Sequence, residues 1–182
     1  MPLIAPDALR AAGVVSVVAA TIEGGWMGFA LFFLVLGGLF IPRAIGTGPA
    51  LDVAYCGTLL LGGWAAQLDW YLAVPELDIV VHAAATGLIA ALTWQVLVKV
   101  GALPAHDDPR IARPRLGAFI VTITTAVALA VVWEFLEWMG HTWLDDRIQV
   151  GYDDTVGDLA AGAIGAVVAA LVVSRTSAAE PR

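Results

Sequence analysis

Apolar positions in this chain neither alternate with polar ones nor recur as a single stripe; they gather into long runs. Ile79 to Val98 is twenty residues without an Asp, Glu, Lys or Arg, and Leu116 to Trp133 is eighteen. Each is close to the roughly 20 residues a helix needs to cross hydrocarbon. Leu159 to Ser174 is shorter, and Asp154 to Asp158 adds a turn before it at the interface. Val53 to Gln67 predicts another span, lengthened at its start by Pro49 to Asp52, where a proline fits a first helical turn. Ala11 to Phe40 is too long for one ordinary span and is broken at Glu23-Gly24-Gly25 by a charge and two weak helix formers. It reads as two spans, Asp7 to Ile22 and Trp26 to Ile41, joined by a tight turn, with Arg10 reaching back to the headgroups.

The pattern therefore predicts an all-α, polytopic transmembrane helix bundle of six spans. It forms one domain over residues 1–175, followed by a loose cytoplasmic tail at 176–182. Composition agrees, with 60% apolar residues and only 14% charged. Charge placement orients the layout, because cytoplasmic loops collect Lys and Arg. With both termini inside, Arg10, Arg43, Lys99, Arg110, Arg113, Arg115, Arg175 and Arg182 are cytoplasmic, and only Arg147 is outside. Most acids fall toward the outer face, so the net charge of -7 is polarised and gives no sign of nucleic-acid binding. The partner is the lipid bilayer of a cell membrane. Cys56, the single cysteine, excludes an internal disulfide and a multi-thiolate metal centre, and reads as a small apolar filler.

Three pairs of ionisable residues stand out within this layout: Asp78 with His82, Glu134 with Glu137, and Asp154 with Asp158. The order of spans puts all six at similar depth near the outer face, and a spacing of three or four turns both members of a pair toward one neighbour. Thr86 extends the first face, His141 the second if that helix continues, and Gly162 and Gly165 the third, allowing close helix approach. Crowded carboxylates in low dielectric relax by taking up protons or binding a cation. Oxygen ligands with an imidazole suit a divalent metal such as Zn, Mn or Fe, or Mg or Ca if the histidines stand aside. The ExxE spacing is half of a carboxylate-bridged dimetal pattern, without the ExxH motifs of that class. Each piece also has a plainer role. Asp78 suits a helix cap after Pro75, Asp153 and Asp154 are acids at a helix start with Thr155 as a cap, and Trp70, Trp133, Trp138 and Trp143 form an aromatic belt.

The strings Asp78-Ile-Val-Val-His82 with Gly87, Trp133-Glu134-Phe-Leu-Glu137-Trp138, and Asp154-Thr-Val-Gly-Asp158 followed by Gly165 resemble the VanZ-like membrane proteins, and more closely the YjdF-like bacterial membrane proteins. They cover the C-terminal three-fifths of the chain. Ile79 stands where a basic residue usually follows the first aspartate, and Gly162 where VanZ-like proteins tend to carry asparagine. The resemblance implies a polytopic envelope protein with an outward-facing polar site. The residues point to metal-dependent action on, or binding of, an envelope lipid head group, with Glu137 as candidate general base. The alternatives are a proton or cation pathway along a face from Thr86 through Thr122, Thr124 and Thr125, and a structural subunit whose polar cluster holds helices together.

Overall fold

A computed structural model describes residues 5–105 and 107–175; the expected tail at 176–182 lies outside the described residues. Every regular element among them is helical: α1 (Asp7–Leu39), α2 (Ile41–Ile45), α3 (Pro49–Gln67), α4 (Trp70–Ala73), α5 (Pro75–Lys99), α6 (Pro114–Trp143) and α7 (Tyr152–Val173). The chain divides into two compact units, residues 1–81 and 82–182, with the division falling inside α5.

In the first unit, α1 is a hairpin rather than a rod. Gly25 has φ 60° and ψ -137°, a conformation open to glycine and strained for other residues, and the chain reverses there. Beyond the turn, a Cβ on Gly28 would lie 2.0 Å from the carbonyl oxygen of Ala20, and Gly13 faces Leu36 and Leu39. The limbs 7–24 and 26–39 therefore pack antiparallel, as the break at Glu23-Gly24-Gly25 implies. Pro42 opens α2, left-handed Gly46 closes it at φ 71°, and Pro49 starts α3, which returns along the hairpin. Trp64 of α3 packs against Phe32 with the rings tilted by 50° and 4.7 Å between centroids, and its indole N–H donates to Ser16 Oγ at 3.1 Å. Four helical segments are long and apolar enough to cross a membrane: Asp7–Ile45, Pro75–Lys99, Pro114–Trp143 and Tyr152–Val173. The first of these contains both hairpin limbs. Helix α3 forms over nineteen residues but is not among the four, because Asp52, Gln67 and its glycines dilute its apolar character.

The charges of this unit overturn one expectation. Arg10 does not reach out to headgroups; it is buried at 4% exposure and forks onto Asp52, itself 1% exposed, with Nη2 donating to both carboxylate oxygens at 2.7 and 2.9 Å. Its Nη1 donates to Asp7 at 3.0 Å, and Arg43 approaches the other Asp7 oxygen at 3.5 Å. Cys56 is not mere filler, since its thiol donates to Asp52 at 3.3 Å. The physical reason is Asp52: a carboxylate sealed among apolar side chains needs a counter-charge, and the guanidinium one helix away supplies it. Two arginines and two aspartates thus form a neutral network tying the starts of α1 and α3 to α2.

The second unit continues α5 and adds α6 and α7. Ala90, Ala126 and Ala166 meet in one buried layer, and Trp94, Ala118 and Val173 in another. Residue numbers rise together in α5 and α7 and fall in α6, so α5 and α7 run parallel with α6 antiparallel to both. The large apolar side chains left outside, including Ile120, Phe135, Ile164 and Val168, suit a lipid solvent.

Removing one member of the buried pair leaves an uncompensated charge, so Arg10→Ala or Asp52→Ala is expected to destabilise the first unit by about 3–5 kcal/mol. The double replacement Arg10→Met with Asp52→Leu should recover most of that loss. Thermal or chaotrope unfolding of the four proteins in detergent checks both outcomes.

Candidate functional site

Asp78 and His82 are four residues apart on α5, hence on one face, and the helix runs unbroken through both. Asp158 lies one and a half turns into α7. One ligand atom from each of Asp78, His82 and Asp158 can be chosen such that all lie within 4.8 Å of one another. His82 Nε2 and Asp158 Oδ2 are 3.9 Å apart, with the two side chains 16% and 6% exposed. That gap exceeds direct hydrogen bonding. It is also wider than the roughly 3.0–3.5 Å between neighbouring donors that share one ion at about 2.1 Å, so the three side chains would have to draw together to share a metal.

The close approach of α5 and α7 below these side chains sets the gap. A Cβ on Gly165 would fall 1.9 Å from the carbonyl oxygen of Ala83, and one on Gly87 2.8 Å from the carbonyl oxygen of Gly165. One on Gly162 would meet Thr86 Oγ1 at 2.9 Å. The two backbones are in contact with no side chain between them, which leaves His82 and Asp158 facing each other at the next turn.

The six residues singled out by spacing do not all gather. Asp78, His82 and Asp158 form the group; Glu134, Glu137 and Asp154 are outside it. The two glutamates are half-buried on the α6 stripe that also carries the buried Thr122 and Ala126, at the same end of the unit. Asp154 is half-buried one turn before Asp158. Helical spacing fixes which way a side chain faces along its own helix, but not which side chains of neighbouring helices come within ligand distance of one another.

Helix α6 does continue to Trp143, and His141 Nδ1 lies 2.7 Å from the Ile148 carbonyl, donating as N–H and binding the 144–151 connection back to the helix. In that connection Arg147 forks onto Asp145, with contacts of 2.6 and 3.0 Å. Its hydrogen bonds hold the Asp145 carboxyl down to about 2. Thr155 is not a cap: Gly151 occupies the N-cap of α7, no side chain caps it, and Thr155 donates its backbone N–H to Gly151. The Arg10–Asp52 network escaped the sequence reading, although one signal was available: acids and bases of opposite sign at the same-side ends of three consecutive spans.

Helices of this length and apolar character define a polytopic helical membrane protein. The chain belongs to the family described as predicted membrane protein (DUF2238), whose model matches residues 8–179. No curated protein and no solved structure matches it.

Gly165→Ala forces the α5 and α7 backbones apart and is expected to cost about 1–3 kcal/mol. Gly117→Ala, on α6 with nothing within 4 Å of the new Cβ, should change stability by less than about 1 kcal/mol. Melting curves of the two variants decide. Arg147→Gln should raise the Asp145 titration from about 2 toward the ordinary 3.8. Because the folded value is the lower one, the pair's contribution is complete above 3.8 and is lost as pH falls toward 2; carboxyl NMR titration reads the midpoint.

Proposed function

We propose that Asp78, His82 and Asp158 hold a divalent metal ion, and that the protein uses it to bind, or act on, the phosphate-bearing head group of an envelope lipid. The single observation carrying this reading is the convergence of three metal-competent donors within 4.8 Å in an apolar helical setting. Two carboxylates and one imidazole suit Zn, Mn or Fe. Three protein ligands leave coordination positions open, the arrangement of sites that act on a substrate rather than only bracing a fold. Such an ion polarises a phosphoryl oxygen or activates water. Glu137, half-buried at the same end of α6, is the candidate general base. The resemblance of these strings to VanZ-like and YjdF-like proteins agrees with an outward-facing site at the cell membrane.

A proton or cation pathway is the second reading, and one observation favours it. Thr122 Oγ1 is fully buried without a hydrogen-bond partner among the described residues, whereas the hydroxyls of Thr124 and Thr125 donate back to carbonyls of their own helix. An internal water below the site would satisfy it.

Elemental analysis of the detergent-purified protein, before and after a chelator, separates the two. Stoichiometric metal, lost in His82→Ala and Asp158→Asn, is the expected result. Re-adding metal to the stripped protein at about 100 times Kd should raise stability by about 2.7 kcal/mol. Metal content unchanged in both variants sinks the reading.

A further inference from the structure

At the end of α6 opposite Glu134 and Glu137, a cleft of about 410 Å³ is lined by Asp107, Arg113, Pro114, Arg115 and Leu116. Its charges are in an unusual state. In the same connection Arg110 and Asp108 neutralise each other through contacts of 2.6 and 2.9 Å. Arg113, Arg115 and Asp107, by contrast, line one cavity without an ion pair among the described residues. Arg113 and Arg115 are exposed, and Leu116 begins the eighteen-residue uncharged run of α6. Two guanidiniums, a carboxylate and the first apolar turn of a membrane-crossing helix are thus presented together.

Each feature selects a part of one molecule. Guanidiniums match phosphate oxygens with paired donors, the planar geometry that favours arginine over lysine. A carboxylate in the same cleft disfavours a purely anionic ligand and favours one that also carries a hydrogen-bonding cation. The α6 surface beyond Leu116, where Ile120 is exposed, offers an acyl chain a path into hydrocarbon. We propose that this cleft binds a glycerophospholipid whose head carries both a phosphate and a primary amine, with Arg113 and Arg115 on the phosphate and Asp107 on the ammonium. The site is separate from the Asp78–His82–Asp158 group and stands whether or not that group holds a metal.

The test is native mass spectrometry of the full chain in detergent, titrated with phosphatidylethanolamine, phosphatidylglycerol or phosphatidylcholine of matched chains. Phosphatidylethanolamine should be retained most strongly, because phosphatidylglycerol has no cation and the quaternary ammonium of phosphatidylcholine has no N–H. Arg113→Gln with Arg115→Gln should weaken its retention about tenfold or more. Asp107→Asn should remove the preference over phosphatidylglycerol without lowering phosphatidylglycerol binding. Circular dichroism confirms that each variant is folded; if the double variant is not, Arg113→Gln alone and Asp107→Asn carry the test. Full retention in the arginine variants, or a phosphatidylglycerol preference that Asp107→Asn leaves untouched, overturns the proposal. So does displacement of the lipid by millimolar inorganic phosphate, which would make the cleft an anion site.

Discussion

In hydrocarbon a polar group finds no water, so each one present must meet another group of the protein. That constraint shapes both units of this chain. In the first, Asp52 draws Arg10 inward, and the pair recruits Asp7, Arg43 and the Cys56 thiol into a network that joins three helices. Snorkelling is the usual fate of an arginine near a span end. Here it loses, because leaving Asp52 alone at 1% exposure costs more than burying a matched pair.

In the second unit the same constraint works through backbone proximity. Helices in lipid gain little from apolar side chains meeting one another, since the tails are equally apolar, and association relies on close packing and polar contact. Gly87, Gly162 and Gly165 remove the side chains that would separate α5 from α7, and the polar residues one turn away are brought within reach as a result. His82 and Asp158 thus depend on glycines that contribute no chemistry of their own.

Opposite ends of α6 carry different electrostatic arrangements. One end has two half-buried glutamates on α6 and a carboxylate–imidazole group on α5 and α7; the other has two arginines and an aspartate around an open cleft. The two proposals would engage a phosphate head group differently, through a metal held at the acidic end and through guanidiniums at the basic end.

Much of this protein was legible in the linear pattern. Uninterrupted apolar runs specify helices, because only helices satisfy every backbone group within a single segment in lipid. The break at Glu23-Gly24-Gly25 marked the reversal, since a positive φ needs glycine, and spacings of three and four placed Asp78 with His82 on one face. What periodicity does not encode is the distance between helices. Only the folded chain decided that Asp158 comes within reach of His82 while Glu134, Glu137 and Asp154 stay outside the group, and that Arg10 turns inward to Asp52. Both outcomes depend on contacts between residues 42 to 80 positions apart, set by which small side chains let two backbones touch and by which buried charge lacks a partner.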